Sequence, residues 1–214
     1  MNKPEINISI NDLRMIRARG VLDEFTVAID AVSVSPDFPK IVEAVVECRG
    51  KIVTTGMGKA GIVMRKFSST LCSFGFSSCY LHPGEASHGD LGVISINDIL
   101  FVASTSGKTR EVLEVIDLAN KINVRKVIGI TSHLDSPIRK KASLVMDMGQ
   151  IIEAGHLRLA PTTSILVMMA LTDCLSLVAA WEKGVTKEDY AKYHHGGYLG
   201  AAARGDRNLR SKTK

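Results

Sequence analysis

Cysteine is scarce in this chain and follows no pattern. Cys48, Cys72, Cys79 and Cys174 form no CxxC pair and no finger-like spacing, which excludes a zinc ribbon, a dithiol redox motif and a disulfide scaffold. All four stand in largely apolar stretches, so buried cytosolic thiols are expected. A membrane-spanning run is missing too: the most hydrophobic stretch, Ile165 to Trp181, is interrupted by Asp173 and is shorter than a typical span. It reads as a helix buried in the core or at a subunit interface. The opening Met1-Asn2-Lys3-Pro4-Glu5 leads into charged amphipathic sequence and lacks the features of a signal peptide, so a soluble, cytoplasmic chain is expected. There is no internal repeat and no low-complexity linker.

An excess of basic charge over the body of the chain is also absent. The formal net charge is +5, but residues 204–214 hold five basic side chains and one Asp. The remainder carries +1, which gives no reason to expect a nucleic-acid partner. The end of the chain reads as a solvated, disordered tail. What precedes it, residues 1–203, has the length and ordinary apolar content for one domain with a sizeable core.

The strongest positive signal is alternation. After amphipathic helices over 8–34, with Gly20 marking a candidate break, and over 41–48, strand-like runs alternate with helical ones. Strands are expected at 51–55, 78–82, 98–103, 126–131 and 144–148. Helices are expected over 60–73 and 109–122, as a short piece from Ser136-Pro137, and as a long one starting at Pro161-Thr162-Thr163, where Pro suits a first turn. Such alternation implies a parallel α/β sheet in a three-layer αβα sandwich. With five strands the flavodoxin-like order 2-1-3-4-5 is expected, and ligands then bind at the carboxyl ends of the first and third strands.

Both of those ends carry unusual loops. After the third strand comes Ser104-Thr105-Ser106-Gly107-Lys108-Thr109-Arg110-Glu111. Four hydroxyls in six residues at a helix N-terminus exceed what capping needs and suit a phosphate dianion. It is not a P-loop, because Val102 stands where that motif needs glycine. After the first strand, Gly56-Met57-Gly58-Lys59-Ala60-Gly61 matches the dinucleotide fingerprint. Its confirming acidic residue is missing, since the next strand reads Ser78-Cys79-Tyr80-Leu81-His82 and the first carboxylate is Glu85.

On these two turns, with His82-Pro83-Gly84-Glu85-Ala86-Ser87-His88-Gly89-Asp90-Leu91-Gly92, Glu153-Ala154, Leu159 to Ser164 and His194-His195-Gly196-Gly197-Tyr198-Leu199-Gly200, the chain resembles SIS (sugar isomerase) domains. It is most similar to those of arabinose-5-phosphate isomerases, over roughly residues 35–203. The resemblance implies that Ser104, Ser106, Gly107 and Thr109 bind the substrate phosphate, and that Lys59, Glu111, Glu153 and His194 are catalytic. Gly58, His88 and Thr162 are further substrate-site candidates. No cofactor and no metal are implied; His82 and His88 suit structural roles better than ligation. The family's His-Pro-Ala-Gly reads His194-His195-Gly196-Gly197 here, which leaves open whether His194 or His195 acts. Fuller members carry paired CBS domains beyond this point, so nucleotide-type regulation through them is not expected of this sequence.

The residues agree with that chemistry. Interconverting an aldose and a ketose phosphate needs a base beside C1 and C2, an acid/base for the two oxygens, and a cation or N–H array for the enediolate. Glu153, with Glu111 as alternate, suits the base, Lys59 the enediolate, and His194 ring opening or oxygen-proton shuttling. Each also has an ordinary reading: a surface lysine, a carboxylate complementing a helix dipole, a helix-end histidine. The role implied by the family is interconversion of ribulose 5-phosphate and arabinose 5-phosphate to supply Kdo for lipopolysaccharide or capsule. Other phosphosugar isomerases and a non-catalytic sugar-phosphate sensor remain alternatives. Apolar surface on the N-terminal helix and on Ile165–Trp181 points to a homo-oligomer, dimer or tetramer, and to a small-molecule phosphosugar as the other partner.

Overall fold

The computed structural model describes residues 9–205; of the tail expected to be disordered, 204–214, all but the first two residues lie outside them. Five strands, β1 (Ile52–Gly56), β2 (Ser78–Leu81), β3 (Ile99–Ala103), β4 (Lys126–Thr131) and β5 (Leu144–Asp147), form one parallel sheet in the order β2-β1-β3-β4-β5. β1 and β3 are buried along their whole length, as continuous apolar runs of a doubly covered sheet must be.

The period of two along each strand assigns side chains to the two faces. Ile52, Ile99, Phe101 and Ile128 pack against α2 (Phe38–Val46), α3 (Gly58–Ser73) and α7 (Thr163–Glu182). The Phe67 and Phe101 rings meet edge to face at 5.1 Å there. Val53, Leu100, Val102 and Val127 face the other layer, built from α4 (Pro83–Ala86), α5 (Arg110–Lys121) and α6 (Pro137–Lys141). α7 is long and apolar enough to cross a membrane by composition, yet ten of its residues are buried, and Asp173 pairs with Lys66 of α3. It is a core helix.

The N-terminal helix α1 (Ile10–Asp30) begins at a capping box between Ser9 and Asp12 and runs unbroken through Gly20. The break expected at Gly20 does not occur: nothing lies within 4 Å of where a Cβ would stand, and one solvent-side glycine costs about 1 kcal/mol, too little to end a helix of this length. None of α1's residues is buried. The stretch after His82, expected as loop, contains α4 and a short 3-10 helix, Asp90–Val93; His82 Nδ1 accepts the Gly84 N–H and caps α4. Past α7 come α8 (Lys187–Tyr193) and α9 (Gly197–Ala203).

The cysteines are not buried as expected. Cys72 and Cys174 are exposed, and Cys48 and Cys79 half-buried; burial pushes the latter two thiols up from their ordinary pKa. The apolar neighbours that suggested a core site for Cys174 include Leu177 and Trp181, which share its outward stripe on α7, Trp181 at 85% exposure.

At the opposite end of the sheet from the site, Asp98 is fully buried. Its carboxylate accepts the N–H groups of Lys51 (2.6 Å) and Ser95 (2.8 Å) and pairs with the Lys51 ammonium at 3.1 Å. Burial pushes its pKa up, but these donors outweigh burial and hold it below the ordinary carboxylate value. A depressed native pKa adds stability above the unfolded value, and that stability is lost as pH falls through the native one. Asp98→Ala leaves two N–H groups unsatisfied and should cost about 2–4 kcal/mol at pH 7. Urea midpoints measured from pH 7 down to about pH 3 should also show a shallower acid loss in the variant. Equal acid slopes would mean that Asp98 does not carry this linkage.

Candidate active site

The carboxyl ends of β1 and β3 open into one cavity of about 350 Å³. Its walls include Lys59 from the start of α3, Ser104 to Ser106 and Thr109 from the β3–α5 turn, His133 after β4, and Pro161 and Ile165 at the start of α7. The two loops singled out in the sequence therefore meet in space, because strand order reverses between them.

Within the turn, Ser104 is the buried anchor. Its Oγ lies 2.8 Å from Thr109 Oγ1 and 3.5 Å from Ser106 Oγ and accepts the Gly107 N–H at 3.1 Å. Gly107 must be glycine: its φ is +65° and a Cβ would stand 2.3 Å from the Ser136 Cβ. Thr109 is the N-cap of α5, but its hydroxyl is turned to Ser104 and makes no cap bond. Met57, the N-cap of α3, likewise supplies none. Gly58, at φ +60° and exposed, opens α3 in a conformation that favours glycine. The first N–H groups of both helices are thus left for an external acceptor, with positive dipole ends directed at the cavity.

α7 differs. Glu153 Oε2 accepts the N–H groups of Thr162 (2.8 Å) and Ser164 (3.3 Å), so this carboxylate caps the helix from the β5–α7 loop. Thr163 Oγ1 accepts the Ala154 N–H at 3.0 Å and ties the same loop down. Tyr80 supports the Gly56 turn by donating its hydroxyl to the Gly56 carbonyl at 2.7 Å; burial raises its pKa, against the Arg65 guanidinium 4.6 Å over the ring.

The structure therefore brings Lys59, Ser104, Ser106 and Thr109 to one cavity. Glu111, half-buried in the first turn of α5 two positions after Thr109, and Glu153, bonded to Thr162 next to Pro161, adjoin lining residues without lining the cavity themselves. His88 is on an exposed turn away from the lining. His194 is remote: its ring stacks on Tyr190 at 3.9 Å, and Tyr190 packs on Phe74, just past the end of α3. Lys59 is the second residue of that helix, and a rise of about 1.5 Å per residue puts the helix's two ends about 22 Å apart. His133 was not found by sequence reasoning. The signal that could have found it is position: Ser132-His133 directly follows β4, the strand beside the switch point.

The SIS domain family model matches residues 46–178. Arabinose 5-phosphate isomerase KdsD of Pseudomonas aeruginosa is 38% identical over 175 residues, which are 81% of this chain and 53% of that protein. A structure of a candidate phosphosugar isomerase involved in capsule formation, from Bacteroides fragilis NCTC 9343, is 39% identical with a TM-score of 0.83, covering 86% of this chain and 99% of that one. Escherichia coli CFT073 c3406, solved in complex with arabinose 5-phosphate, is 30% identical with a TM-score of 0.82, covering 87% and 100%. The chain spans 53% to 60% of the length of the first curated relatives it matches. By the matched family model, and by a fold shared with these structures, the chain belongs to the SIS domain family.

Proposed function

We propose that this chain is an aldose–ketose isomerase interconverting D-arabinose 5-phosphate and D-ribulose 5-phosphate through an enediol. The observation that carries the reading is the uncapped, hydroxyl-lined start of α5 facing Lys59 across one cavity. The relative named arabinose 5-phosphate isomerase and the structural neighbour holding arabinose 5-phosphate support the choice of sugar. Formation of ribulose 5-phosphate from arabinose 5-phosphate by the purified chain is the test.

In this reading the Ser104, Ser106 and Thr109 hydroxyls and the Gly107 region hold the phosphate. Glu153 removes the proton at C2 or C1, with Glu111 the alternate. Anchoring by the α7 N–H groups fixes where that carboxylate stands, and Lys59 carries the charge that develops on the enediolate oxygen. Gly58 and Thr162, next to Lys59 and Pro161 of the lining, complete the sugar end. The physiological setting proposed is cytoplasmic supply of Kdo synthesis for lipopolysaccharide or capsule.

His194 needs a different geometry, since it stands at the far end of α3 from Lys59. We assign it to the site of a neighbouring copy. α1 offers Met15, Ile16 and Val27 at 71%, 58% and 69% exposure, and α7 offers Leu177 and Trp181 at 58% and 85%. An exposed apolar surface of this kind is covered in a homo-oligomer, dimer or tetramer. Lys59→Ala and His194→Ala should each be inactive alone. After dissociation and reassembly together, mixed assemblies unite an intact Lys59 with an intact His194, and activity should return. Mixed assemblies verified by mass that stay inactive at every ratio would place His194 within its own chain's site or outside catalysis.

A further inference from the structure

The 149–162 segment, which carries Glu153 between β5 and α7, contains no helix or strand. A side chain on such a segment stands only where its surroundings hold it, and here three successive residues are held. Glu153 Oε2 accepts the Thr162 and Ser164 N–H groups at 2.8 and 3.3 Å. The Ala154 N–H donates to Thr163 Oγ1 at 3.0 Å. The Gly155 N–H donates to Glu24 Oε2 of α1, also at 3.0 Å. Gly155 has a φ of +83°, a conformation that favours glycine, and its carbonyl accepts the Arg158 N–H at 3.2 Å, which closes the turn. The first two ties run to α7, the helix that Glu153 caps. The third runs to a helix 131 positions earlier and has no part in capping.

The Thr163 and Glu24 ties differ in their surroundings. Thr163 is buried, so water competes little for its bond to Ala154. Glu24 is exposed and lines two cavities, of about 410 and 830 Å³, so its bond to Gly155 is open to water and weaker. Its backbone is nevertheless well fixed. Ala28, one helical turn on and on the same face, packs with Ile29 against the core cluster that also contains much of α7. We propose that Thr163 and Glu24 are positioning residues for the reaction. Acting through the Ala154 and Gly155 N–H groups, they fix the backbone from which Glu153 reaches the substrate carbon. α1 then serves catalysis without lining the cavity. The proposal rests on the reading of Glu153 as the base. A reacting group misplaced by about 1 Å loses about 10²-fold in rate, whereas the Ser104–Thr109 turn holds phosphate without these ties. Their loss therefore lowers kcat and spares binding.

The test pairs turnover with amide hydrogen exchange followed by NMR. Glu24→Ala puts a stronger helix former on an exposed position of α1, so its thermal midpoint should barely move. It should lower kcat on arabinose 5-phosphate about three- to tenfold, with KM and the calorimetric affinity for inorganic phosphate kept within about twofold. Glu24→Gln retains a carbonyl acceptor for the Gly155 N–H and should recover kcat to within about twofold. Thr163→Val keeps the shape but removes the acceptor at a buried site, so kcat should fall about ten- to hundredfold; Thr163→Ser should restore most of it. If Thr163→Val does not fold, the two Glu24 variants decide. Exchange reads the ties without turnover: the Gly155 amide should exchange faster in Glu24→Ala, and the Ala154 amide faster in Thr163→Val. Faster exchange at Gly155 with kcat unchanged, or an equal loss of kcat in Glu24→Gln, would overturn the proposal. An unaltered chain that protects both amides and binds phosphate but converts no arabinose 5-phosphate would instead overturn the isomerase reading beneath it.

Discussion

Ser106→Asp should abolish turnover. Ser106 Oγ stands 3.5 Å from Ser104 Oγ and accepts the Lys108 N–H at 3.3 Å, so a carboxylate there would take up the donors meant for the substrate phosphate. Two like charges about 4 Å apart at an effective dielectric of about 20 repel by about 4 kcal/mol, roughly three powers of ten in binding, and more for a dianion. Ser106→Ala removes one hydroxyl without adding charge and should cost about tenfold. The two variants together separate charge exclusion from loss of a single contact. Near-normal activity in Ser106→Asp would remove the turn from the phosphate site.

Glu153→Gln should depress kcat by about 10²–10⁴, the range for loss of a positioned acid or base. The side-chain carbonyl of glutamine can still accept the Thr162 and Ser164 N–H groups that Glu153 now binds, so the head of α7 should keep its place and the thermal midpoint should move little. That control matters because Glu153 has two duties here, capping and the proposed proton removal. A rise in KM with kcat retained would assign Glu153 to substrate binding. An effect confined to stability would leave it only the cap, and Glu111→Gln becomes the variant to measure.

Strand order was legible in the sequence because each apolar run of four to six residues was separated by a helical period and ended in a turn signal. The convergence of the Gly56–Gly61 and Ser104–Glu111 loops followed from that order alone. Helix ends and the small elements after His82 were less legible: Pro83 and Asp90 open one-turn helices too short for periodicity to register. The cysteines misled because an apolar neighbourhood in sequence does not say which side of a helix a residue faces, and Cys174 faces outward with Trp181. His133 was missed for a different reason. It lines the cavity because it follows β4, and its contact with the Thr105 carbonyl, 28 positions away, is one that spacing does not signal. Glu153 was visible as a carboxylate after the last strand, but its bond to the start of α7 depends on how the 149–162 loop folds back.

The central claim is proton transfer between C1 and C2 of a pentose 5-phosphate held in this cavity, and NMR of arabinose 5-phosphate with the chain in D₂O tests it most directly. Ribulose 5-phosphate should appear together with deuterium at C2 of the remaining aldose, and both should be lost in Glu153→Gln. Arabinose 5-phosphate that binds but neither exchanges nor converts would contradict the claim and leave a sugar-phosphate sensor on the same fold.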